Sequence, residues 1–323
     1  MGLLALVAVA LTSCRKEEDA RSPILEETVN LNDVYGTKTD EASMGTEYQY
    51  QAYYDLGTAS NKANIDKLSY ELAFASNEMH VELNQAISNL RVARSEQDWE
   101  NTVSADDLEF GYDLISTETP VWAIGNDLYG VFVMDRGVDE LGASRGYRKF
   151  TIDYNDGTYT LTSAALNGTD EVILEVPTSD TYTYTYAHLQ DGITEVAPRK
   201  EEWDIVFTHY LHVFDPETEP FPYQVTGVLL NPEAVWVVEL DDADYAAIDW
   251  AATTEMTFTQ QRAEIGYDWK YFDFDLGFVV DEDRVYVVED HEGFRYKLRF
   301  TSFYNELGEK GHPQFTFQRL QED

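Results

Sequence analysis

In the segment Tyr182-Thr-Tyr184-Thr-Tyr186 aromatic and hydroxyl side chains alternate strictly. Successive side chains of a strand point to opposite faces, so this order puts the rings on one face and the hydroxyls on the other; a helix would scatter both around its axis. The same period returns in Met256-Thr-Phe258-Thr and Phe272-Asp-Phe274-Asp, while Val285-Tyr-Val-Val288 is β-branched and aromatic throughout. Turn dipeptides punctuate these runs: Asp156-Gly157, Asn167-Gly168, Asp191-Gly192 and Glu292-Gly293. Helical periodicity is scarce. A short helix is expected over 241–252, capped by Asp241 or Asp242, and a single turn over 105–110. The fold class predicted is mostly β, built from antiparallel sheets.

Several blocks occur twice in the same order. Tyr48-Gln-Tyr50 leads through Tyr53-Tyr54-Asp-Leu-Gly57 to Tyr70-Glu-Leu-Ala-Phe74, as Tyr182-Thr-Tyr184 leads through Gly192 to Trp203-Asp-Ile-Val-Phe207. Val131-Phe-Val-Met-Asp135 and Gly146-Tyr-Arg-Lys-Phe150 match Val285-Tyr-Val-Val-Glu289 and Gly293-Phe-Arg-Tyr-Lys297. A period of about 140 residues is too long for a solenoid. It predicts two related antiparallel β domains in tandem, 46–178 and 179–323, after a signal peptide (1–13) and a polar tether (14–45).

The tether follows from the chain's only cysteine. Residues 3–11 are uninterrupted apolar, too short to span a bilayer and suited to a signal-peptide core. Leu11-Thr12-Ser13-Cys14 then fits the bacterial lipobox, which makes Cys14 the expected lipidation site and the lipid the expected anchor to the membrane. One thiol also means that the core must hold without an intramolecular disulfide. Arg15-Lys16-Glu17-Glu18-Asp19 resembles the surface-export signal of lipoproteins in one Gram-negative phylum, so a surface-exposed, outer-membrane location is expected.

With 61 acidic against 22 basic residues the formal net charge is −39. Such a surface cannot neutralise a phosphate backbone, which excludes general nucleic-acid binding, and it repels anionic lipid headgroups. The 43% hydrophobic and 14% aromatic content excludes wholesale disorder.

Trp203-Asp-Ile-Val-Phe-Thr-His-Tyr210, Tyr223-Gln-Val-Thr-Gly-Val-Leu-Leu-Asn231 and the closing Tyr296-Lys-Leu-Arg-Phe-Thr-Ser-Phe-Tyr-Asn305, Gly308-Glu-Lys-Gly311 and Phe315-Thr-Phe-Gln-Arg-Leu320 resemble the HmuY-like family of bacterial surface lipoproteins. The resemblance is strongest over 199–323 and reaches 45–175 through the repeat, as if the module were duplicated. It implies an all-β, non-enzymatic protein that captures haem outside the cell and passes it to a TonB-dependent outer-membrane transporter. It also implies axial His or Met ligands to the iron. The alternative is a cofactor-free adhesion or assembly module that meets a protein or a glycan through its aromatic surface.

Haem iron held between two side chains needs them on opposite faces of the porphyrin. His209 and His212 are three residues apart on an expected strand, so they point to opposite faces and cannot grip one iron together. Either one is a candidate axial ligand, as is His291 in its Asp290-His-Glu-Gly turn; His188 or Met256 could supply a partner. The propionates need local cations on an acidic protein, and Arg284, Arg295, Lys297 and Arg299 share one expected hairpin. No metal site beyond haem is predicted. Asp153-Tyr-Asn155-Asp156-Gly157 begins like a calcium loop, but position 164, where the closing Glu belongs, is Ala. The hydrolase, zinc-protease, P-loop and dinucleotide fingerprints are absent from the sequence.

Overall fold

The computed structural model describes residues 31–116, 120–194, 197–214 and 221–322. The expected signal peptide, the lipidation site at Cys14 and the export signal lie outside them. The chain opens with α1 (Leu31–Tyr35) and β1 (Lys38–Glu41), then runs through β2 (Tyr50–Asp55), β3 (Ser60–Asp66), β4 (Leu72–Ala75), β5 (Val81–Leu83) and β6 (Leu90–Ser95). A meander follows: β7 (Val131–Arg136), β8 (Tyr147–Asn155), β9 (Thr158–Ala165) and β10 (Val172–Pro177). The second half holds β11 (Tyr184–His188), β12 (Gly192–Thr194), β13 (Ile205–Phe214), β14 (Phe221–Leu230), β15 (Trp236–Leu240) and α2 (Trp250–Thr253). It ends with β16 (Lys270–Asp273), β17 (Gly277–Val280), β18 (Val285–Glu289), β19 (Arg295–Tyr304) and β20 (Lys310–Arg319).

All ladders among these strands are antiparallel, as the alternating sequence predicts. The four turn dipeptides each join two paired strands. Two details differ from expectation. The single helix expected over 241–252 is two separate turns, capped by Asp244 on the Ala246 N–H and by Asp249 on the Ala252 N–H. Part of the segment expected as tether, 14–45, also belongs to the fold. Lys38–Glu41 pairs with β20, and Ala42 and Met44 are buried, because those apolar side chains close the edge of a core.

Two sandwiches result. The sheet β1-β20-β19-β18-β15 packs on β14-β13-β2-β3 around Tyr54, Phe207, Trp269, Phe300, Phe303 and Phe315. The sheet β10-β9-β8-β7-β6 packs on β12-β11-β4-β5 around Phe74, Phe132, Phe150 and Tyr159. The outer faces of the two four-stranded sheets meet through two further apolar clusters that share Ile65 and Ala197. The tyrosine stripe of β11 is buried there, with Tyr186 against Tyr70 at 4.6 Å between ring centroids.

The pairing is nested rather than sequential. β2, from the first half, pairs with β13, and β11, from the second, pairs with β4, so a cut at 178/179 would pass through two sheets. Matching blocks nonetheless make matching contacts. The Leu56 N–H donates to Asp204 and the Leu189 N–H to Glu71, each at 2.8 Å. Asn84 Nδ2 donates to the carbonyls of Lys67 and Tyr70, and Asn231 Nδ2 to those of Lys200 and Trp203. Lys149 and Lys297, at matching positions of β8 and β19, each donate to two loop carbonyls. Asp204 and Glu71 thereby anchor the first hairpin of each half onto the sheet of the other, while the asparagines and lysines hold loops within their own half.

One close approach sets the course of β14. A Cβ at Gly227 would fall inside contact distance of the Gly266 carbonyl and 2.9 Å from Tyr210 Cε1. Gly227→Ala is therefore expected to destabilise by about 1–3 kcal/mol, the usual cost of overpacking. Urea denaturation would read it as a lower midpoint; an unchanged midpoint would mean that the loop can retreat.

Candidate functional site: an aromatic cleft beside β13

β13 and β14 are ten-residue strands in full register, from Ile205↔Leu230 to Phe214↔Phe221. Residues at alternating positions share a face, so His209 follows Phe207 on the face turned toward the first core, while Tyr210 and His212 follow Val206 on the other. The contacts agree. His209 lies against Tyr48, with ring centroids 5.0 Å apart, and His212 lies against Phe214 and Tyr267, each at 4.8 Å. The two histidines do occupy opposite faces.

A cleft of about 800 Å³ opens between β14, the β16–β17 hairpin and the loop carrying Tyr48, and of the two histidines only His209 is in its wall. It is lined by Tyr48, His209, Phe214, Tyr223, Tyr267, Tyr271, Phe272 and Phe278, with Asp268, Lys270 and Lys310 as its charged groups. Its size is within the range of about 300–1,000 Å³ usual for ligand clefts. Burial, reinforced by Lys67, Lys270 and Lys310, pushes His209 down to about 3, so its imidazole is neutral at any physiological pH. Its Nδ1 is buried with no hydrogen-bond partner among the described residues. Lys270 is pushed down to about 7 by burial; its ammonium lies 4.2 Å from the Trp269 ring centroid and donates to the carbonyls of Thr226 and Tyr267. Lys310 sits 4.8 Å above the Tyr48 ring. Tyr48 itself has φ 54°, a left-handed conformation that costs a bulky side chain energy. It is held there by a hydrogen bond to the Gly45 carbonyl and by Gly311, whose missing side chain makes room for its ring.

The other sequence candidates are placed elsewhere. His291 is in the β18–β19 turn, 3.9 Å from the buried Asp204, which raises its pKa. His188 is bound into the Glu71 cluster, His312 lies 3.0 Å from Glu41, and Met256 packs on the cluster containing Val285 and Leu320. The three arginines expected to meet propionates do not line the cleft. Arg284 is gripped by Glu239, Asp241 and Asp268, the last at 2.6 Å. Arg295 pairs with Glu289 between the Trp250 and Phe258 rings, and Arg299 covers Tyr245. On so acidic a chain a sequence cluster of cations meets carboxylates first. The cations that do face the cleft, Lys270 and Lys310, come from separate strands, and only the aromatic Trp269-Lys270-Tyr271-Phe272 setting hinted at the first. A neighbouring cleft of about 730 Å³ shares Tyr223 and Gln224 but has no histidine in its lining.

No helix among the described residues is long and apolar enough to cross a membrane. Among solved structures the chain is similar to apo PinO of Porphyromonas gingivitis, at 12% identity and TM-score 0.30 over 89% of this chain and 98% of that one. The apo HmuY analogue of Tannerella forsythia aligns at 12% identity and TM-score 0.27, covering 90% and 100%. A Bacteroides vulgatus protein assigned as an HmuY-like heme-binding protein aligns at 15% and 0.19, covering 55% and 93%. No curated protein matches. The family model described as HmuY protein matches residues 47–317 in one stretch spanning both halves of the repeat, and on that match the chain belongs to the HmuY family.

Proposed function

We propose that this protein binds haem, without catalysis, in the aromatic cleft beside β13. His209 would be the protein ligand to iron, and Lys270 and Lys310 would meet the propionates. The observation that carries this reading is His209 itself, a neutral imidazole with an unpartnered buried nitrogen in the wall of an aromatic cleft. Neutral imidazole is the ligating form, and haem iron held by one histidine is common chemistry. Rings from Tyr223, Tyr267, Tyr271 and Phe272 supply the apolar surface a porphyrin needs. Family membership supports the same ligand class. No second histidine and no methionine lines the cleft, so a tyrosine oxygen is the available second ligand. Lipid anchoring through Cys14 and delivery to an outer-membrane transporter complete the reading.

Titrating purified protein with haemin should give a saturable Soret shift at micromolar protein, and no shift would contradict the proposal. The pH dependence is specific. Because His209 stays neutral to about pH 3, ligand protonation should not weaken binding between pH 8 and 5. Lys270 takes up its proton as the pH falls through about 7, beside Asp268 and Lys310, so affinity for the anionic porphyrin should rise across that interval. Affinity that falls around pH 6.5 would indicate an ordinary exposed histidine instead.

A second reading keeps one observation in its favour. Phe274 and Leu276, at the tip of the β16–β17 hairpin, are 97% and 74% exposed. If haemin does not bind, this surface is the place for a protein partner.

A further inference from the structure

A further cleft, of about 610 Å³, opens where the two halves meet, away from β13. His80, Glu82 and Trp122 come from the first half, and Tyr184, Glu233 and Arg262 from the second. Its polar groups are built into a chain. Arg262 donates to Glu82 at 2.7 Å across 180 residues of sequence, and the Tyr184 hydroxyl donates to the other Glu82 oxygen at 2.6 Å. His80 stands edge-on to Trp122, with centroids 4.7 Å apart. Yet three buried atoms of the lining have no hydrogen-bond partner among the described residues: Thr183 Oγ1, Glu233 Oε1 and Arg262 Nε. Buried polar groups are nearly always paired, so three in one cleft point to a ligand that completes them.

The unused capacity defines the ligand. Glu233 Oε1 can only accept, Arg262 Nε–H can only donate, and the Thr183 hydroxyl does either. A hydroxyl group donates and accepts at once, so adjacent hydroxyls on one ring can answer all three. Trp122 and Tyr184 offer flat apolar surface to the carbon face of such a ring. Charge removes the alternatives. Glu78, Glu82, Asp127 and Glu233 line the cleft against the single cation Arg262, so phosphate, sulfate and carboxylate ligands are repelled. A metal is not favoured either. Glu82 is held by Arg262 and Glu233 by Lys200, and no cluster of three or more metal-ligating side chains occurs among the described residues. We propose that this cleft binds a neutral sugar ring, as a free monosaccharide or one unit of a glycan.

The test is calorimetric titration of the full chain with glucose, galactose, mannose and N-acetylglucosamine, with inorganic phosphate and glucuronate as anionic controls. At least one neutral sugar should bind saturably in the millimolar range or tighter, and the anions should not. Glu233→Gln, which keeps shape but loses the charged acceptor, should weaken that binding about tenfold. Trp122→Ala should weaken it too, and His209→Ala should leave it unchanged. No heat from any neutral sugar, equal binding of an anion, or full affinity in Glu233→Gln would overturn the proposal. Haemin binding is read at another cleft, so either inference can fail without the other.

Discussion

In His209→Ala the haemin Soret shift is expected to disappear at micromolar protein, a loss of about 100-fold or more in affinity, roughly 2.7 kcal/mol. His212→Ala and His291→Ala should bind as the parent does. His212 packs on Phe214 and Tyr267 but is not itself in the cleft wall, and His291 is held at the β18–β19 turn by Asp204. The loss in His209→Ala should come without unfolding. A buried nitrogen with no partner costs the native state roughly 1–3 kcal/mol, which offsets the packing lost with the ring against Tyr48 and should hold the thermal midpoint close to the parent's. Linkage gives the same sign. The native pKa of about 3 lies below the ordinary 6.5, so the unfolded chain binds the extra proton between those values. Parent stability therefore falls as the pH drops from about 6.5 toward 3, and His209→Ala should lose less over that interval. A folded His209→Ala protein that still shifts the Soret band would exclude His209 as ligand.

The largest stability effect should come from Glu71→Gln. Glu71, immediately before β4, is wholly buried and takes Arg136 at 2.6 Å, Arg145 at 2.7 Å and the Leu189 N–H at 2.8 Å, with His188 at 3.5 Å. Removing its charge leaves two guanidinium groups uncompensated in the interior, and breaking a buried pair from one side costs about 3–5 kcal/mol. For a chain of this size that is a fall on the order of 10 °C in the thermal midpoint. Asp204 holds the matching place in the other half, yet Asp204→Asn should cost far less. Its charged neighbour is the half-exposed His291 at 3.9 Å, burial already raises its own pKa, and an Asn oxygen can still accept from Leu56. Calorimetry on both variants tests the contrast. Equal losses would mean that the carboxylates serve only to anchor the exchanged hairpins, with the arginines contributing nothing.

The sequence announces strands and turns because both are local. The Tyr182–Tyr186 alternation and the Asp191-Gly192 turn needed no partner to be read, and the duplicated blocks do fall on corresponding strands: Val131–Asp135 on β7 and Val285–Glu289 on β18. The exchange of first hairpins was not legible. β2 has the same pattern whether it pairs within its own half or with β13, about 150 residues away in the chain, and only tertiary packing decides. Phe272-Asp-Phe274 shows the same limit in reverse. Its alternation marks a strand, but nothing in it says that the aromatic face of this two-stranded hairpin is left uncovered. At the site, His209 was legible as one of three candidates. Lys270, Lys310 and Tyr48 were not, because three distant segments must meet before they share a cleft.

A crystal structure of the protein with haemin bound tests the central claim most directly. Iron density is expected beside His209, with the porphyrin between β14 and the β16–β17 hairpin and its propionates toward Lys270 and Lys310. Iron at His212, at His291 or in the cleft that holds His80 would contradict it.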